Sequence, residues 1–113
     1  MVKSIIFSQD YQFKFTEIFG GTPRVRILEF FITTTINSDN PPWTYIAQIS
    51  RILSLSKSSV KNTIDNMLKD GFLIEKKIET HQKNPQRNIR INNKNRTISH
   101  LKNFYNELKH SIS

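Results

Sequence analysis

The sequence predicts a mostly α-helical α+β protein in which four helices precede a small β-hairpin and an additional C-terminal helix follows it. Apolar residues recur at three- and four-residue spacing through most of the chain, as on one face of an α-helix. From Phe72 to Asn92, apolar and polar residues alternate around a polar segment, which is typical of two strands joined by a turn. The 113 residues fit one domain, 1–113, because no linker divides them.

The first two helices are predicted from apolar spacing and from residues that begin or end helices. Gly20-Gly21 ends a first helix, whose apolar face consists of Tyr11, Phe15, Ile18 and Phe19. Thr22-Pro23 begins a second one, since Thr is a good N-cap and Pro is tolerated at the first helical position. Its apolar face is formed by Val25, Leu28, Phe31 and Ile32. The run 33–40 and the prolines that follow end it.

The third and fourth helices lie close together in the chain. Thr44 is the predicted cap of the third, whose inward face is Ile46, Ile49, Ile52 and Leu53. The helical pattern breaks at Ser54-Leu55. Ser56 then caps a fourth helix that ends at Asp70-Gly71, with an apolar face of Val60, Ile64, Met67 and Leu68.

The hairpin and the last helix complete the chain. Strands are predicted over 72–79, with Ile74 and Ile78 on one face, and over 87–92, with Ile89 and Ile91 on one face. The terminal helix, about 96–111, is amphipathic, with an apolar face of Ile98, Leu101, Phe104, Tyr105, Leu108 and Ile112.

The charge pattern predicts a polyanionic partner. The net charge is +8, and residues 1–50 carry as many bases as acids, so the whole excess lies in residues 51–113. Such asymmetry indicates nucleic acid or an acidic membrane. No segment approaches the roughly 18 apolar residues of a membrane span, so we expect a cytoplasmic, nucleoid-associated protein without a membrane partner.

The residues give little support to catalysis or metal binding. There is no cysteine, no glycine-rich phosphate loop and no recognisable pair of nucleophile and base. The three histidines, His81, His100 and His110, are far apart in sequence and lack nearby carboxylate pairs. We therefore expect no enzyme, no cofactor, no metal and no evident small-molecule ligand.

Two helices joined by a short turn and followed by a β-hairpin have the order of a winged helix-turn-helix. Residues 49–60, ISRILSLSKSSV, resemble the helix-turn-helix core of winged-helix transcription regulators, and 64–74 resemble the passage from recognition helix to wing. Residues 19–28 are similar to the first helix of many archaeal regulators of this kind. The likeness covers roughly 18–92, with a domain core of about 22–92. Ser50 stands where the family usually has Ala, and Ser54 where it has the turn Gly. A non-glycine residue is strained at positive φ, so we expect a turn that is either slightly strained or differently shaped.

The resemblance implies contacts to double-stranded DNA from the fourth helix and the hairpin. N-terminal residues of a recognition helix reach base edges, where Asn suits adenine and Lys suits guanine. The predicted base contacts are Ser58, Lys61 and Asn62, and the predicted phosphate contacts are Arg51, Lys57 and Ser59. The segment 81–96 contains five bases and no acid, and its predicted wing contacts are Lys83, Arg87 and Arg90. About six phosphate contacts would give a salt slope near −5.

The apolar face of the terminal helix is wide for a helix with nothing after it. This face packs either on its own domain or, as we expect, on a second copy of the chain. The predicted homodimer contacts are Leu101, Phe104, Tyr105 and Leu108. A two-fold dimer would place two recognition helices about 34 Å apart and read a palindrome.

The function predicted from the sequence is that of a dimeric, sequence-specific transcription regulator. Two alternatives stay open. One is a plasmid or viral partition or replication accessory protein that binds repeated DNA sites. The other is a winged helix that serves as a protein-interaction module.

Overall fold

The computed structural model describes residues 14–36, 40–78 and 86–111. These residues are mostly helical with a small two-stranded antiparallel hairpin, which confirms the predicted α+β class. The elements in chain order are α1 (Lys14–Phe19), α2 (Pro23–Thr35), α3 (Ile46–Leu53), α4 (Lys57–Lys69), β1 (Leu73–Ile78), β2 (Gln86–Ile91) and α5 (Arg96–Ser111). The bounds of α5 match the predicted additional helix. No helix in these ranges is both long and apolar enough to cross a membrane.

Two of the predicted helix caps are confirmed. The Thr22 side chain accepts a hydrogen bond from the Val25 amide at 3.3 Å, and Pro23 is the first residue of α2. The Ser56 side chain accepts from the Ser59 amide at 3.1 Å at the start of α4. Each cap gives an acceptor to an amide that has no partner within its helix.

The prediction that Thr44 caps α3 was wrong. The N-cap is Tyr45, which makes no side-chain cap hydrogen bond. Thr44 instead pairs with β2: its amide donates to the Ile89 carbonyl at 2.8 Å, and the Ile89 amide donates to the Thr44 carbonyl at 2.7 Å. The loop before α3 is therefore fastened to the hairpin by backbone hydrogen bonds.

The helix α2 is longer than predicted. The run that begins at Thr33 was expected to end it, but the helix continues through Thr35. The hydroxyls of Thr33, Thr34 and Thr35 each donate to a carbonyl three or four residues earlier. These hydroxyl groups thus make their hydrogen bonds to backbone carbonyls of α2, and they do not interrupt the helix.

One apolar core joins all the elements. Its largest fully buried apolar side chains are Phe15, Ile27, Phe31, Ile32, Ile49, Ile64, Met67, Ile89, Ile91, Ile98 and Tyr105. In the hairpin Leu73 pairs with Ile91, and both side chains face this core. Ile74 lies on the opposite face and is exposed. The predicted face of the first helix is only partly buried, since Phe15 is in the core while Ile18 and Phe19 are 53% and 56% exposed.

A buried carboxylate connects α1 to α2. Glu29 is fully buried and accepts from the amides of Phe15 and Thr16 at 2.9 and 3.1 Å and from the Thr16 hydroxyl at 2.7 Å. Amides in the first turn of a helix lack intrahelical partners, and a negative charge there is favourable. Glu29 therefore fixes the start of α1 on the face of α2.

Candidate nucleic-acid interface

The turn between α3 and α4 sets the position of the candidate interface. Ser54 has φ 57° and ψ 45°, so of the two expected forms of the turn the structure has the strained one. The Ser50 carbonyl accepts from the amides of Ser54 and Leu55, and the Ser50 hydroxyl donates to the Leu55 carbonyl. Serine at position 50 thus adds a hydrogen bond that alanine could not make, and this bond holds the strained turn.

The outer face of α4 carries the predicted base-contacting residues. Val60, Ile64 and Met67 are buried against the core, which turns the opposite face toward solvent. Ser58 and Asn62 are exposed there. The Asn62 amide makes no side-chain hydrogen bond to the described residues, while the Ser58 hydroxyl lies 3.4 Å from that of Ser56. Both side chains have polar atoms available to an outside partner.

Lys61 lies on the same face but is paired within the helix. Its ammonium donates to the Asp65 carboxylate at 3.2 Å, and 58% of its side chain is exposed. Exposed pairs at this spacing contribute about 0.3–0.5 kcal/mol, so a competing acceptor can replace Asp65. Asp65 nevertheless places a negative charge one helical turn beyond the predicted base-contacting residues.

The predicted phosphate contacts flank this face. Arg51 on α3 and Lys57 at the start of α4 are exposed, and neither forms an ion pair with a carboxylate of the described segments. Ser59 is half-buried, and its amide is occupied by Ser56. As far as the described segments show, Arg51 and Lys57 are therefore available to an anionic partner.

Arg87 does not extend from the hairpin as predicted. Its Nε donates to Glu75 Oε2 at 2.7 Å and its Nη2 donates to Asp65 Oδ1 at 2.8 Å, with 25% of the side chain exposed. The hydrogen bond that Arg87 donates to Glu75 is the main reason that the pKa of Arg87 is raised. Two carboxylates of the chain already pair with this guanidinium, so the predicted wing contact at Arg87 would have to compete with them. Lys83 lies outside the described residues.

Arg90 lies on the outer face of the hairpin, against a residue that the sequence reasoning missed. Its guanidinium carbon is 4.5 Å from the centroid of the Trp43 ring, and the Lys76 ammonium is 4.8 Å from the same centroid. Trp43 lies in the irregular loop before α3, so no periodicity signals its position. Alternation along the strands does place Lys76 and Arg90 on one face once the register is known.

The predicted dimer residues lie on α5, which packs mainly on its own chain. Tyr105 is 1% exposed and contacts Phe15 edge-on at 4.9 Å between ring centroids, so its inclusion in a dimer surface was wrong. Leu101 and Leu108 are half-buried against the same core. Phe104 stacks on Phe15 at 5.9 Å and stays 40% exposed.

Neither a metal-binding cluster among the described residues nor a similar protein indicates what kind of site this is. Within the described ranges, no group of three His, Cys, Asp or Glu side chains lies close enough together to hold a metal ion. Comparisons of the chain with models of protein families, with curated proteins and with solved structures find no match. The assignment of function therefore depends on the chemistry of the exposed residues.

Proposed function

We propose that this protein is a winged helix-turn-helix regulator that binds double-stranded DNA with α4 in the major groove. The observation that carries the proposal is the exposed N-terminal half of α4. Lys57, Ser58, Lys61 and Asn62 lie there, directly after the tight turn that follows α3. Helix N-terminal residues of this polar and basic kind match what base edges and flanking phosphates require.

The connection between the helices and the hairpin supports this proposal. Backbone hydrogen bonds join Thr44 to Ile89, and the ion pair between Arg87 and Asp65 joins β2 to α4. A hairpin held in this way keeps a fixed orientation relative to α4. Such an orientation is what a wing beside a recognition helix needs.

The polar groups of α4 suit direct reading of bases. Asn62 has the donor and acceptor that pair with N7 and N6 of adenine, and Ser58 can bond to either base of a pair. Lys61 donates to guanine after its weak pair with Asp65 is released. Arg51 and Lys57 supply phosphate contacts, each of which adds about −0.9 to the slope of log K against log salt.

Fluorescence anisotropy of the full chain on a random duplex pool, with a salt titration, tests the proposal. Selection and sequencing of the bound DNA follow. We expect micromolar or tighter binding, a salt slope that is steep and negative, and an enriched palindrome. Asn62→Ala should weaken binding to the enriched site by about 1–3 kcal/mol without changing the salt slope. The matched control is Asn103→Ala on the exposed side of α5, which should leave binding unchanged.

Two other outcomes would lead to different functions. Binding without enrichment, or with enrichment of tandem repeats, would favour an architectural, partition or replication role. No binding at low salt would favour the protein-interaction module. One observation supports that module: Lys61 and Arg87, two of the predicted DNA-contacting cations, are paired with carboxylates.

The dimer that we propose depends on exposed apolar side chains where α1 meets α5. Phe15 contacts both Phe19 and Phe104, at 5.9 Å between ring centroids in each case. Phe19 and Phe104, together with Ile18 on α1, are among the exposed large apolar residues. This trio replaces Tyr105 as the candidate contact with a second copy.

A further inference from the structure

The outer face of the hairpin holds two cations on one indole ring. Arg90 and Lys76 lie at 4.5 and 4.8 Å from the centroid of Trp43, so their charged groups are less than 10 Å apart. The ring attracts both cations, while their like charges repel each other. An anion bound beside both cations would reduce this repulsion.

Neither cation is neutralised by the part of the chain that the structure describes. No carboxylate in these segments forms an ion pair with Lys76 or Arg90. Arg87, on the opposite face of the same hairpin, is by contrast bound by both Glu75 and Asp65. Arg87 is thus a cation that stabilises the fold, whereas Lys76 and Arg90 have no counter-ion within the described segments.

The hydrogen-bonding groups of Arg90 are also incompletely satisfied. Its Nε is buried and has no hydrogen-bond partner among the residues that the structure describes. Within the described segments, its Nη1 makes long contacts, at 3.4 Å to Asn40 Oδ1 and 3.5 Å to the Pro41 carbonyl. Buried side-chain donors are usually paired in folded proteins, and guanidinium groups bind the oxygens of phosphate in a bidentate manner.

We propose that Trp43, Lys76 and Arg90 form a binding site for a phosphate-class oxyanion on the outer face of the hairpin. Trp43 orients the two cations, Arg90 supplies the planar donors, and the exposed Lys76 supplies a point charge. The site uses no residue of α4 and does not require the proposed base reading. The phosphate belongs either to a DNA backbone or to a free phosphate compound.

The fluorescence of Trp43 offers a direct test because the chain contains a single tryptophan. The full chain is titrated with inorganic phosphate, with chloride at matched ionic strength as reference, and separately with a short duplex. We expect a saturable change in Trp43 emission with phosphate. Lys76→Gln and Arg90→Gln should each weaken this binding about tenfold through loss of a charge-assisted contact. Lys76 is exposed, so its variant should fold even if the Arg90 variant does not.

Lys109→Gln is the matched control, because it removes one charge near the end of α5, far along the chain from Trp43. It should leave the phosphate response unchanged. If Lys109→Gln weakens the response as much as Lys76→Gln does, general charge explains it and the site is disproved. A flat Trp43 signal with both phosphate and duplex would also overturn the site.

Further results identify the source of the phosphate and test this site independently of the proposed function. Competition between inorganic phosphate and duplex for the Trp43 response identifies the DNA backbone. A response to inorganic phosphate alone identifies a free phosphate compound. If Asn62→Ala abolishes selective duplex binding but keeps the phosphate response, the two sites are independent. If wild-type protein binds phosphate and no duplex, the inference stands and the proposed function fails.

Discussion

The Arg87 guanidinium donates to the Asp65 carboxylate at 2.8 Å and thereby connects β2 to α4. The same guanidinium donates to Glu75 of β1 at 2.7 Å. Since three-quarters of the Arg87 side chain is shielded from solvent, these bonds are less screened than those of surface pairs. The angle between the hairpin and α4 therefore depends on a charge network inside the chain.

Replacing Arg87 should destabilise the protein. Arg87→Gln removes the partner of two carboxylates, and we expect the free energy of unfolding to fall by about 1–3 kcal/mol. Urea denaturation followed by circular dichroism measures this change. The matched control is Arg51→Gln, which removes the same charge from an exposed site and should change stability by less than about 0.5 kcal/mol.

The same two variants distinguish a structural role of Arg87 from a contact between Arg87 and DNA. Arg51→Gln should make the slope of log K against log salt less negative by about one unit, while Arg87→Gln should leave that slope unchanged. An equal reduction in both variants would show that Arg87 meets a phosphate. The assignment of Arg87 to the fold alone would then be wrong.

Acid should weaken the contact between the hairpin and α4. The hydrogen bond from Arg87 is the main reason that the pKa of Asp65 lies below its ordinary value, while burial opposes the shift. Because the folded-state pKa is lowered, the stabilisation is present above about pH 4, the ordinary aspartate value, and is lost as pH falls through the folded pKa. Asp65→Asn should therefore flatten the decline in stability below about pH 4.

Stability measured by urea denaturation at a series of acidic pH values checks this expectation. Glu107→Gln is the control, since its exposed carboxylate makes no ion pair with the described residues. An Asp65→Asn curve that stays parallel to wild type throughout the acid range would refute the linkage.

The strained turn predicts a stabilising substitution. Ser54 is exposed and has φ 57°, where a side chain costs about 1–2 kcal/mol and glycine is unstrained. Glycine also loses more entropy on folding, so we expect Ser54→Gly to raise the free energy of unfolding by about 0.5–1 kcal/mol. Ser99→Gly, at an exposed position in the first turn of α5, should instead lower it by about 0.5 kcal/mol. A loss of stability in Ser54→Gly would mean that the Ser54 side chain has a stabilising contact.

The buried carboxylate of Glu29 should be essential for the position of α1. Glu29→Gln replaces one acceptor oxygen with an amide donor that faces the amides of Phe15 and Thr16. We expect a loss of about 2–3 kcal/mol and faster hydrogen exchange at those two amides. Glu17→Gln, on the exposed side of α1, should change neither quantity. Unchanged exchange at both amides in Glu29→Gln would disprove the role of Glu29.

Local chemistry made much of this fold predictable. Thr22 and Ser56 were identifiable as caps because each precedes an apolar run at helical spacing. Val60 and Ile64 were assigned to the buried face by the same spacing. The resemblance left a strained or a differently shaped turn open at Ser54, and the structure has the strained one, with φ 57°.

Long-range pairing accounts for most of what the sequence did not reveal. Arg87 was expected to face solvent, but the register of the hairpin puts it on the side of Glu75 and within reach of Asp65. That register follows from contacts between strands and not from any single segment. The same holds for Thr44, whose partner Ile89 is 45 residues away. Single-segment patterns carry no information about such partners.

The exposed apolar trio of Ile18, Phe19 and Phe104 predicts self-association. Large aromatic side chains that stay 40–56% exposed gain free energy when a second copy covers them. We expect analytical ultracentrifugation at high micromolar concentration to show a dimer, and Phe104→Ser to shift it toward monomer. Asn103→Ser changes the neighbouring exposed residue and should leave the dimer intact. A wild-type monomer at that concentration would rule out the dimer and with it the expected palindromic site, because one copy of α4 reads a single half-site.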